Sequence, residues 1–175
     1  MTGVWELWKG LKMLKLLDRF SNLLNRVLIW IGGVFLCFMI LLTCANIFLR
    51  AVWFPIRGTF ELMGYFGAVV TAFALGYTQL SKGHIAVDIM VMRFPKGLKR
   101  IADAINSILL FIFFSFATYQ IARFATNLKD TGEVSETLRI IYYPFSYATA
   151  FGCGALAFVF FVELLKSIFQ KENAR

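Results

Sequence analysis

A chain of 175 residues with 59% apolar residues, twenty phenylalanines and a mean hydropathy of +0.72 is too apolar for a soluble or a disordered domain of this length. Its net charge of +8 comes from lysines and arginines gathered between long apolar runs. That pattern reports membrane topology and contact with anionic lipid, and it gives no reason to expect a nucleic-acid surface.

Four stretches carry no charged residue: 27–49, 62–81, 104–122 and 140–162. At about 1.5 Å per residue each can cross a hydrocarbon layer of about 30 Å. The expected fold is therefore an all-α integral membrane protein with four transmembrane helices, spanning about 23–49, 60–81, 101–123 and 143–166. A basic segment, 1–21, precedes the membrane domain of 22–168, and 169–175 form a short tail. Thirteen of the eighteen basic residues lie before the first uncharged run (up to Arg26), in the central connection, or from Lys166 to the end of the chain. Positive charge resists translocation, so these three parts and both termini are expected in the cytoplasm. The first apolar run begins late, is too long for a signal core and lacks a following small-x-small pattern, so no cleavable leader is expected.

In the N-terminal segment Lys9, Lys12, Lys15 and Arg19 recur every three or four positions, Leu7, Leu11, Leu14 and Leu17 take mostly the opposite arc, and Trp5 and Trp8 stand at the charged edge. The pattern is that of a basic amphipathic helix lying in the inner headgroup layer. The first span ends in ANIFLRAVWFP, with Asn46 and Arg50 one turn apart, Trp53 and Phe54 at the interface, and Pro55 as the stop. Asn46 is expected either to bond across to another helix or to be satisfied at the headgroup level. Glu61 opens the second span in RGTFELMG, where the helix dipole favours its charge and Thr59 is the expected cap. A pairing of Glu61 with Arg50 or Arg57 across the short hairpin is the sharper expectation.

Along the second span Gly64, Ala68, Ala72 and Gly76 repeat every four residues and form one small-residue ridge for close helix packing. The central connection holds Gly83 and the only histidine, His84, four residues before Asp88 in GHIAVD. One histidine beside one acid falls short of the ligands a metal site needs and of a catalytic constellation. The third span is apolar from Ile108 to Phe116, and no acid or base occupies the midplane of any span, which argues against a proton relay or an ion path within this chain. Tyr142, Tyr143 and Tyr147 form an outer aromatic belt, and Pro144 suits the first turn of the last helix. Cys37, Cys44 and Cys153 all lie inside expected spans and read as buried, inert thiols.

Taken in order, ANIFLR, FELMGYFG, LGYTQLSKGHIAVDI, a proline-bearing connection and TLRIIYYP resemble the small membrane subunit of TRAP transporters, the tripartite ATP-independent periplasmic family, DctQ type. The resemblance covers about Leu23 to Leu165. It implies a non-catalytic subunit of the bacterial inner membrane that holds no cofactor. Its implied partners are a large membrane subunit, which would carry the substrate and sodium sites, and a soluble periplasmic binding protein that delivers an organic acid. It marks Arg50, Glu61, Gly83, His84, Asp88 and Pro144 as structural or partner-facing and assigns none to substrate. The residues themselves fit a bracing part, since the chain lacks the repeats and broken helices of an independent carrier. Alternatives are the small subunit of a tricarboxylate-type carrier and a free-standing membrane protein. A membrane cytochrome would need a second histidine for axial ligation, and an integral membrane enzyme would need clustered polar side chains at one depth.

Overall fold

The computed structural model describes residues 2–81 and 96–172. Four helices account for nearly all of it: α1, Thr2–Val52; α2, Thr59–Leu80; α3, Lys96–Thr131; and α4, Tyr143–Glu172. Each contains a segment long and apolar enough to cross a membrane. The only strand-like feature among the described residues is an isolated bridge, Val134 to Ile141, in the connection between α3 and α4.

The helices are longer than the apolar runs because a helix, once nucleated, continues into water wherever propensity allows. With 51 residues, α1 measures about 76 Å, more than twice the hydrocarbon thickness. No break separates its basic N-terminal part from its apolar part. Helix α3 likewise runs on to Thr131, eight residues past the expected end of its span.

Helix α4 is the hub. It packs on α1, α2 and α3, whereas α3 packs chiefly on α4 alone. Half of the apolar window of α4 is buried and none of that of α3, which makes α3 the outlying helix of the bundle. Small residues explain the hub: Gly152, Cys153, Gly154, Ala155 and Ala157 let neighbouring backbones come close, and in lipid such contact substitutes for the hydrophobic drive. A Cβ added at Gly152 would lie 2.8 Å from the backbone carbonyl carbon of Ala72, so α2 and α4 touch there main chain to main chain. Leu28, Val69, Ala72, Phe73 and Ala155 form the core between α1, α2 and α4. Tilted ring contacts, Phe35 to Phe66 and Phe66 to Phe145, extend it towards the α1–α2 hairpin.

Three expectations change at this level. The ridge on α2 is split: Ala72 and Gly76 are buried, while Gly64 and Ala68 are exposed on the bundle's surface. The spacing puts all four on one face, but only the Ala72–Gly76 half of it meets a neighbour within this chain. Cys37 and Cys44 are exposed on α1 and only Cys153 is buried, because position inside a span does not fix which way a residue faces. Thr59 does not cap α2; Gly58 takes the N-cap in a left-handed conformation, φ 73°, and Thr59 instead donates its hydroxyl to the carbonyl of Ile56 at 2.9 Å.

Candidate functional site: polar seams at the two ends of the bundle

Among the described residues, hydrogen bonds between nitrogen and oxygen atoms of side chains on different helices gather at the two ends of the bundle. At the end carrying Asp18 and Lys166, α1 presents Asp18, Ser21 and Asn25, α2 presents Gly76 and Gln79, and α4 presents Glu163 and Lys166. Lys166 Nζ donates to Asp18 Oδ1 at 2.6 Å, with both side chains about 40% exposed. Gln79 Nε2 donates to Glu163 Oε2 at 3.0 Å.

Between these contacts, Ser21 and Asn25 are fully buried, and Asn25 Nδ2 donates to the carbonyl of Ser21 at 2.9 Å. Among the described residues the Oδ1 atom of Asn25 finds no N–H or O–H donor; it sits over the Cα of Gly76, where any Cβ would overlap it. A Cα–H to oxygen contact of this kind contributes about 0.5–1 kcal/mol, so the glycine is what lets the amide be buried at a tolerable cost. Sequence reading missed Asn25, Ser21 and Gln79. The signal for the first two was present, two polar residues four apart in SNLLN and so on one helix face.

The opposite end is held by backbone donors. Glu61 accepts from the Thr137 N–H at 2.7 Å and from the Leu138 N–H at 3.3 Å, which fastens the α3–α4 connection to the first turn of α2. The expected pairing with Arg50 or Arg57 is not formed: both arginines are exposed, and the one described ion pair is Asp18 with Lys166. Two aligned N–H groups satisfy a carboxylate in place, without the entropy of holding an arginine chain. Leu138 also lies over Gly58, filling the space a side chain there would need. The α3–α4 connection closes on itself through Ser135, whose N–H donates to Ile140 at 2.9 Å, and through Arg139, which takes a left-handed φ of 52°. Asn46 resolves its two alternatives locally, accepting from the Ile56 N–H at 2.8 Å and so binding the α1–α2 hairpin.

Tyr65 stacks between Tyr142 and Phe145 at centroid distances of 5.2 and 5.6 Å. The Tyr142 hydroxyl is pushed above the usual phenol range, first by partial burial and then by the nearby Glu133 carboxylate. Pro144 falls in the first turn of α4, as expected. Gly83, His84 and Asp88 lie outside the described residues, as do the side chains of Trp5, Trp8, Lys9 and Lys12. Lys15 and Arg19 are exposed on α1. Among the described residues there is no group of three or more potential metal ligands.

The architecture defines a class: a multi-pass membrane protein fastened at its two ends by polar seams, with an apolar middle. Residues 39–170, about three-quarters of the chain, match the family model of the tripartite ATP-independent periplasmic transporters, DctQ component, and the chain belongs to that family. No curated protein and no solved structure matches it. Members of the family work in a tripartite complex with a large membrane subunit and a periplasmic binding protein, so this chain is a transporter component of the inner membrane.

Proposed function

We propose that this chain is the stationary, non-catalytic brace of its transporter: it holds the large subunit at a fixed depth while that subunit carries out sodium-coupled uptake of an organic acid. The observation that carries this reading is the placement of polar contacts. Interhelical polar side chains sit at both ends of the bundle, and the middle is packed by small and aromatic residues, as suits a part that keeps its shape. Substrate and sodium sites are assigned to the large subunit.

Both termini are placed in the cytoplasm, on the strength of the thirteen basic residues at that end. Accordingly the Glu61 seam faces the periplasm, on the side from which the binding protein arrives. The basic N-terminal third of α1 is assigned to the inner headgroup layer and beyond it, with Trp5, Trp8, Lys9, Lys12, Lys15 and Arg19 against anionic lipid. His84 and Asp88 are given a structural or partner-facing role.

The test is to purify the tagged chain in mild detergent from cells expressing its native neighbours and to identify what travels with it by mass spectrometry. A large polytopic protein at near-equal stoichiometry is expected. Recovery of the chain alone, under conditions that preserve other membrane complexes, would overturn the subunit reading.

A further inference from the structure

Helix α1 has two faces in different surroundings. Ser21, Asn25, Leu28 and Gly32 are buried against α2 and α4, whereas Arg19, Asn22, Arg26 and Trp30 are exposed. At 3.6 residues per turn Lys15, Arg19, Asn22, Arg26, Gly33 and Cys37 fall in one stripe, about a third of a turn round from the buried face. The stripe changes character at Trp30. On one side of it the side chains are cationic or amide; on the other lies an open apolar groove of about 450 Å³, lined by Trp30, Gly33, Val34, Cys37, Phe38 and Leu41.

Gly33 makes the groove. A Cβ placed there meets nothing within 4 Å, so no helix of this chain fills the dent. The volume lies within the range of about 300–1,000 Å³ that small-ligand sites occupy. Along the axis, Trp30 to Leu41 covers about 17 Å, close to half of the hydrocarbon thickness. The cations lie at the level where polar contacts mark the end of the bundle, since Asp18 meets Lys166 and Asn25 meets Gly76. Asp18, the acid nearest to them on α1, is engaged by Lys166, and Lys15, Arg19 and Arg26 form no ion pair among the described residues.

We propose that this stripe binds one anionic phospholipid of the phosphatidylglycerol class. Arg19 and Arg26 clamp the phosphate, Asn22 donates to it, and one acyl chain lies in the groove from Trp30 to Leu41. Arginine suits this role because its planar fork matches phosphate and its stem tolerates the interface. The inference rests on the membrane-subunit reading above and adds to it a discrete site, with a head and a tail, where a general basic surface would have neither.

The test is native mass spectrometry of the purified, delipidated complex titrated with phosphatidylglycerol or with phosphatidylcholine of the same acyl chains. The wild-type complex should retain one phosphatidylglycerol at a concentration about tenfold below that needed for phosphatidylcholine. The Arg19→Gln/Arg26→Gln variant should lose that preference. Gly33→Phe, which fills the groove without touching another helix, should weaken retention of both lipids and leave the melting temperature of the bundle unchanged. Equal retention of the two lipids by the wild type, or unaltered phosphatidylglycerol retention in either variant, overturns the proposal. Dissociation of the large subunit by Gly33→Phe with lipid retention intact assigns the groove to a protein partner and overturns it too. Failure of the subunit reading is visible separately, as absence of the large subunit from the wild-type preparation.

Discussion

Asn25 is the residue on which the Asp18–Lys166 end of the bundle turns. A buried amide whose oxygen faces a glycine Cα leaves no room for a methyl group, so Gly76→Ala must displace either the amide or the helix. Overpacking of this kind costs typically 1–3 kcal/mol, and a lower melting temperature of the purified chain is the expected result. Asn25→Ala removes the buried polar group and frees the space above Gly76; paired with Gly76→Ala it should recover part of the loss, since the two positions are in contact and their effects are coupled. At the other end Glu61→Ala should lower thermal stability more than Glu61→Gln, because the glutamine keeps an acceptor for the Thr137 N–H. Equal effects of the two would mean that charge, and not hydrogen bonding, holds the α3–α4 connection. Neither arrangement was legible in the sequence: Glu61 was recognisable as a residue with a task, but its partners are backbone N–H groups 76 and 77 positions away, and backbone donors leave no mark in a sequence. Arg50 and Arg57, near Glu61 in the chain, are exposed and take no part in this contact.

At the scale of the helix, the four spans were written plainly in the uncharged runs, because the cost of leaving backbone or charge unsatisfied in hydrocarbon admits little else. Which side of each helix faces inward was not. Period-four spacing of Gly64, Ala68, Ala72 and Gly76 gives a common face, yet half of that face is covered. The covered half is where Gly152 of α4 meets Ala72, and this pair carries a contrast of outcomes. Gly152→Leu should separate α2 from α4 and lower the melting temperature sharply, whereas Ala68→Leu should leave the isolated bundle unchanged. If Ala68→Leu instead weakens recovery of the large subunit while the bundle stays folded, the exposed half of the ridge is part of the interface between the two membrane proteins. Equal destabilisation by both variants would contradict the split face. Family membership was legible because motif order and span layout survive even where the facing of single residues does not show.

For the molecule as a whole, the seams are best understood as fixing register. Interhelical hydrogen bonds within membranes average only about 0.6 kcal/mol, so Gln79 to Glu163 adds little beside the close packing of α2 on α4. Exposed ion pairs such as Asp18 with Lys166 contribute about 0–1 kcal/mol and can be replaced without unfolding the chain. What the seams do is hold α1, α2 and α4 in one arrangement, which is the property a stationary brace needs. The arrangement also explains how a helix as long as α1 is anchored, since Asp18 pairs with Lys166 and Asn25 packs on Gly76. His84→Ala is accordingly expected to keep substantial uptake in the reconstituted system, and complete loss with assembly intact would give the central connection a direct part in transport. The most direct measurement is uptake by proteoliposomes containing the full complex after α1 and α4 have been locked together. Asp18→Cys and Lys166→Cys, introduced with Cys37, Cys44 and Cys153 replaced by serine, place two thiols for a short bismaleimide, and uptake is followed for the solute that purifies with the binding protein. A stationary brace predicts that the cross-linked complex transports within about twofold of the uncross-linked one. Near-complete loss of uptake, reversed when a cleavable linker is cut, would show that the bundle itself moves during transport and would contradict the account.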